Sequence, residues 1–248
     1  MALFLLLSLK KYLLMKKSIL LFALFPFFGC AEMQQVMNQL PQTQQMGLDI
    51  SGGLKEALNN GISKQVTKLT TTDGFFMNEA VKILLPEELR KVDATLRRIG
   101  MSKLADDGLR AINRTAEDAV KEATPIFVDA VRNMSFTDAR NILMGNESAA
   151  TNYLQNSTST ALYGKFNPVI KNSYEKVGAD KIWSNIITKY NAIPLVNKVN
   201  PDLTDYTTNK AMEGVFKMIA VEEKDIRNNL AARTSNLLKQ IFAIQDKK

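Results

Sequence analysis

Glu223 and Arg227 stand four residues apart in "AMEGVFKMIAVEEKDIRNNL", and their spacing is the first chemical clue in the chain. On a helix turning 100° per residue, Met212, Val215, Phe216, Ile219, Ile226 and Leu230 share one face. Glu223 lands near the middle of that face, with Arg227 one turn later on the same side. Four-residue spacing lets a carboxylate and a guanidinium pair, which burial would demand. Three readings stay open: a salt bridge that fixes how the helix docks, a polar cleft lined by both groups, or exposure past the helix end. In "INRTAEDA", Asn113 and Glu117 fall beside an apolar stripe while Arg114 projects almost opposite it. That pair either faces a neighbouring helix or lies on a solvated flank joined by an i to i+4 hydrogen bond. Asp138, three residues after Ser135, suits a helix cap better than a catalyst. With Arg233, the candidate polar cluster comprises Asn113, Arg114, Glu117, Asp138, Glu223 and Arg227. Glu117 and Glu223 would make a glycosidase acid and base only if their carboxyl groups stood roughly 5 to 9.5 Å apart.

Other chemistries lack their residues. The chain has no histidine and one cysteine, so a Ser-His-Asp triad, a Cys-His pair, an HExxH or cysteine zinc site and the Glu-x-x-His arms of di-iron bundles cannot form from it. No phosphate-binding glycine loop precedes a helix, so the sequence calls for no cofactor and no metal. Acid–base work would rest on carboxylates alone, and no catalytic residue is assigned.

The lone cysteine ends "FALFPFFGC" at residues 22 to 30. Lys16 and Lys17, the apolar stretch Ser18 to Phe28 and Gly29 read as an export signal over residues 1–29, too short to span a bilayer, with translation expected to start at Met15. Cys30 has no disulfide partner in its chain and no histidine to activate it. It matches the lipidated cysteine of a bacterial lipoprotein signal, although Phe27 and Phe28 stand where leucine and a small residue are preferred. A protein so anchored would be exported and held in the periplasm or at the outer membrane. Its partners would be the membrane through the anchor, and an envelope protein or a small apolar ligand. The net charge of +7 is mostly leader, since 28 basic residues against 25 acidic ones remain beyond Gly29, a balance of +3. Those charges are interleaved, as in Glu222-Glu223-Lys224-Asp225, which argues against nucleic acid.

The elements that must position these groups are helical. Residues 30–47 include the Gln-rich stretch "AEMQQVMNQLPQTQQMG", a tether able to reach about 60 Å when extended. Residues 48–248 form one all-α domain, a multi-helix bundle. Leu54, Leu58, Ile62, Val66 and Leu69 mark a first helix, weakened at Gly61. Asp73 is expected to cap a second, running to about Leu85, and Pro86 to open a third that ends at Gly100. A long periodic segment from Ser102 to Ala123 must break or kink at Pro125. Ser135 and Asp138 resemble a capping box, Gly145 closes that helix, and Ser148 is placed to cap the next. Pro168 is expected to kink or divide a segment that Gly178 ends. Asp180 opens a helix with Trp183, Ile186 and Ile187, Asp202 or Thr204 starts the last long one, and a short one spans about Thr234 to Ala243.

The blocks "LPEELRKVDATLRRIGM", "INRTAEDAV", "ATPIFVDAVRNMSFTDARNILMGNESAATNYL", "DLTDYTTNKAMEGVFKMIAVEEKDIR" and "AARTSNLLKQIF" resemble, in order, a bacterial family catalogued as domain of unknown function 4197. The resemblance runs from about Ser51 to Ala243 and takes in every member of the polar cluster, with Thr151 and Thr234. Departures are Leu230, where the family favours proline, and Thr207, where valine is usual. It implies a helical, exported, often lipid-anchored envelope protein of unassigned role. Three functions fit: a binding module, a carboxylate-dependent hydrolase of envelope glycans, and a structural envelope component.

Overall fold

Asp49 accepts the amide of Gly52 and starts helix α1 (Ile50–Leu69), whose expected apolar positions all point inward. The structure is a computed structural model, and it describes residues 49–176, 179–196, 198 and 202–246. The signal, Cys30, the tether and Gly178 lie outside the described residues.

Among the described residues eight further α-helices follow: α2 (Glu87–Arg98), α3 (Ser102–Val120), α4 (Ala123–Arg132), α5 (Phe136–Leu143), α6 (Ala149–Lys176), α7 (Ala179–Asn191), α8 (Thr204–Asn228) and α9 (Asn236–Gln245). A 3-10 turn over Leu230–Ala232 separates the last two. No strand occurs among the described residues, and the fold is all-α. Helices α3, α6 and α8 pack on one another as the centre of the bundle. Helices α1, α4, α5 and α9 gather on one side of it, and α2 and α7 rest on α3. Phe127 of α4 meets Phe216 of α8 edge to face at 5.9 Å between ring centres, an arrangement that suits the aromatic quadrupole.

The proline and glycine signals hold at several ends. Pro86 precedes α2, Gly100 takes φ +81° just beyond it, and Pro125 sits in the first turn of α4, where its missing amide costs nothing. Pro168 does not divide α6. The only bond it removes is the one to the carbonyl of Gly164, and both residues lie on the exposed side, where water replaces the lost donor.

The segment from Thr70 to Pro86 departs from expectation. Asp73 does not cap a helix there. It takes φ +60° in a chain of turns that runs into an extended stretch over residues 82–86. Phe75, Val81, Ile83 and Leu85 are buried, and the last three alternate as an extended chain requires. Gly74 belongs to this path because a Cβ there would lie 2.6 Å from the carbonyl oxygens of Lys68 and Leu69.

Candidate functional site

Glu223 and Arg227 are both buried, with side chains 6 % and 2 % exposed, and they pair at 2.8 Å. Of the three sequence readings, the geometry selects the docking salt bridge. Glu223 Oε1 accepts the amide of Ala150 at 2.9 Å, while Oε2 accepts both the amide and the hydroxyl of Thr151 at 2.8 Å. A carboxylate from α8 therefore caps the amino end of α6, the end at which the helix dipole favours negative charge. Ser148, the expected cap, instead donates its amide and hydroxyl to Asn146.

Arg227 completes the junction from the opposite pole. Its Nε and Nη2 donate to Glu223, its Nη2 and Nη1 reach the carbonyls of Ile142 (2.8 Å) and Leu143 (3.2 Å), and Nη1 also donates to Gln245 (3.0 Å). All five guanidinium donors are used. The two carbonyls belong to the carboxyl end of α5, which favours a cation. One ion pair on α8 thus holds both ends of the α5–α6 connection.

Arg233 serves α8 in the same way. It is 2 % exposed and donates Nε to the carbonyl of Ile226 at 2.9 Å and Nη2 to that of Arg227 at 2.8 Å. Its outer edge grips both oxygens of Asp246, and its guanidinium carbon lies 5.3 Å from the centre of the Phe242 ring. The bonds from Arg233 hold the Asp246 carboxyl below its usual range. Leu230, expected to extend the buried face of α8, lies beyond the helix in the 3-10 turn and is exposed.

Asn113 and Glu117 form a second, separate cluster. Neither lies on a solvated flank, and they do not bond each other. Asn113 is fully buried and reads the backbone of Ile83 at two points, accepting its amide at 2.8 Å and donating to its carbonyl at 2.9 Å. Its amide group also donates to Leu109. Glu117 accepts the amides of Phe75 (3.1 Å) and Asp73 (3.3 Å). Burial pushes its carboxyl above the ordinary range, and those amides oppose the rise. These α3 side chains satisfy backbone groups of a segment that forms no helix of its own. Replacing Asn113 with Leu orphans the amide and carbonyl of Ile83 together. The expected loss is about 2 to 4 kcal/mol of unfolding free energy, read by urea denaturation, with faster hydrogen exchange at Ile83.

Arg114 lies on the exposed side of α3, its Nε 3.9 Å from Asp73. Asp138 is the expected cap: Ser135 and Asp138 form a reciprocal capping box at the start of α5. The Ser135 hydroxyl and amide hold the Asp138 carboxyl below its usual range. The sequence candidates therefore divide among the 73–83 segment, the start of α5, the α5–α6–α8 junction and, for Arg233, the carboxyl end of α8 beside α9. Glu223 has no oxygen free for a water or a glycosidic bond, and the cavity of about 30 Å³ beside it is lined by α1 side chains such as Leu54 and Leu58, not by Glu117.

Glu222, beside this junction, was not singled out by spacing. It accepts Gln65 at 2.6 Å and Lys64 at 2.7 Å, tying α1 to α8 where Gly61 leaves room for its stem. Open surface lies elsewhere. A groove of about 420 Å³ runs between α6 and α8, with Met212 and Phe216 at its floor and Gln155, Ser159 and Asn209 along its edges. A further hollow of about 270 Å³ lies between residues 80–84, α2 and α8. None of the described helices is long and apolar enough to cross a membrane.

A family model matches residues 44–243, about four-fifths of the sequence and the whole described bundle up to α9. The chain belongs to the DUF4197 family. That family is described as protein of unknown function, and its match takes in Asn113, Arg114, Glu117, Asp138, Glu223, Arg227 and Arg233. No match was found among curated proteins or among solved structures. For the DUF4197 bundle, function must therefore be argued from its own surfaces.

Proposed function

We propose that this DUF4197 chain is a lipid-anchored helical binding module of the bacterial envelope, tethered through Cys30 and engaging a protein partner along the α6/α8 groove. The observation that carries the binding reading is how the buried charges are spent. Glu223, Arg227 and Arg233 are wholly engaged at helix ends, whereas the groove leaves Met212 half-buried over the edge of the buried Phe216, within a polar rim. An apolar floor inside a hydrogen-bonding edge is the composition of a protein interface. The anchor and the envelope location are supported by the signal pattern before Cys30.

Two measurements test the two halves. Mass spectrometry of the mature protein is expected to find an acylated amino-terminal Cys30, and Cys30→Ala to abolish acylation and membrane retention. A photo-crosslinking residue at Gln155 is expected to give one discrete adduct in intact cells, and the same residue at Lys103 on α3 to give none. An unacylated terminus upstream of Cys30 overturns the anchor, and equal or absent adducts at the two positions overturn the groove.

A further inference from the structure

The hollow beside the groove gathers positive charge. Lys82 from the extended segment, Arg90 from α2, and Lys210 and Lys217 from α8 all line it, and Glu213 is the one carboxylate among its described lining residues. Two of the cations have partners. Lys210 is held by Glu213 at 2.6 Å, and Lys82 lies 4.4 Å over the Phe76 ring and 3.7 Å from Glu79. Arg90 and Lys217 make no ion pair among the described residues, although both are exposed and carboxylates are as common as cations over most of the bundle. The wall between them is fixed, because the Tyr206 hydroxyl donates to the carbonyl of Leu84 at 2.7 Å and ties α8 to the extended segment.

We propose that this hollow binds a phosphate ester. Four cations against one carboxylate suit an anion whose negative charge is shared over several oxygens, as both mono- and diesters of phosphate present. Arg90 contributes a planar fork matched to phosphate oxygens, and Lys217 a compact charge. Neither surrenders an existing ion pair when the ligand arrives. The cavity of about 270 Å³ exceeds the share of several waters, about 30 Å³ each, so it holds a phosphate with an organic group attached. Leu84, 55 % exposed at the rim, gives that organic group an apolar contact that inorganic phosphate would not use. The site stands apart from the partner groove, sharing only Glu213 and Lys217 with it, and its ligand is a small molecule or a lipid headgroup rather than a protein.

The test uses the purified protein in neutral detergent, titrated with glycerol phosphate, with glycerophosphoglycerol and with inorganic phosphate, and followed by calorimetry. Glycerol phosphate represents a soluble monoester, and glycerophosphoglycerol the headgroup of an anionic phospholipid. Saturable binding of either ester, tighter than inorganic phosphate, is expected, and the tighter of the two identifies the source. Arg90→Gln with Lys217→Gln should weaken it by about tenfold or more. Lys103→Gln with Lys121→Gln, which removes the same charge elsewhere on the surface, should leave affinity within about twofold. Arg90→Gln alone gives an intermediate loss and serves if the double variant melts early. The proposal is overturned if neither ester binds, if inorganic phosphate binds as well as both, or if the two double variants lose affinity equally.

Discussion

Glu223→Ala is expected to lower the unfolding free energy by about 3 to 5 kcal/mol, the range for stranding one member of a buried ion pair. Three deficits arise together. The amides of Ala150 and Thr151 lose the acceptor that caps α6, the Thr151 hydroxyl loses its partner, and Arg227 stays charged in a site closed to water. Glu223→Gln separates these, because one amide oxygen still accepts from α6 while the charge that balances Arg227 is gone. It should fall between wild type and Glu223→Ala. Removing Arg227 as well must cost less than the two single losses added, since the second change no longer strands a charge. Arg227→Ala alone still orphans the carbonyls of Ile142 and Leu143, so the double variant does not return to wild-type stability. Urea denaturation with an unchanged slope is the measurement. A loss below about 1 kcal/mol for Glu223→Ala would mean that water reaches the junction and the cap is solvated.

The pairing of Glu223 with Arg227 was legible because it is local: four residues on one helix face put the two groups side by side. Their targets were not legible, because the capped amide of Ala150 lies 73 residues earlier in the chain and the Ile142 carbonyl 85 residues earlier. Ser148 looked like the cap on local grounds, and a buried carboxylate on another helix displaced it. Where structure is set by local signals, as at the Ser135–Asp138 box, Pro86 and Gly100, sequence and structure agree.

Helix α6 shows a second limit. Apart from Thr151 and Ser173, its buried residues recur at every fourth position, Ala150, Leu154, Thr158, Leu162, Phe166, Ile170 and Tyr174. Four residues advance about 40° beyond a full turn, so over six steps this row winds roughly 240° around the helix axis. No single apolar face exists for a wheel to find, and the winding row lets α6 touch α3, α4, α5, α7 and α8 in turn. The segment 70–86 failed for the opposite reason. Its alternating Val81, Ile83 and Leu85 is too short a run to stand out, and the groups that hold it open, Asn113 and Glu117, sit on another helix and read as a polar flank. Polar residues beside an apolar stripe are ambiguous until the backbone they bind is known.

Arg233→Met should cost about 2 to 4 kcal/mol at neutral pH, through a different route from Glu223→Ala. Here no buried charge is stranded, because Asp246 is 40 % exposed and returns to water when the guanidinium goes. The loss comes from the carbonyls of Ile226 and Arg227, left without donors at the end of α8, while the Met side chain keeps part of the packing against Phe242. Arg233→Lys keeps the charge and not the fork, so it cannot serve two carbonyls and both Asp246 oxygens at once, and it should recover less than half of the loss. The pH dependence distinguishes the Asp246 contribution. A carboxyl whose folded pKa is depressed stabilises the protein above its unfolded pKa, near 3.9, and that stabilisation disappears as pH falls through the folded value. The stability gap between wild type and Arg233→Met should therefore be constant from pH 7 to about 5 and shrink below 4, leaving the carbonyl share behind. In the variant, an NMR titration of Asp246 should return to the ordinary carboxylate range. A gap that stays constant down to pH 2 would show that Asp246 contributes nothing to stability and that Arg233 acts through the α8 carbonyls alone.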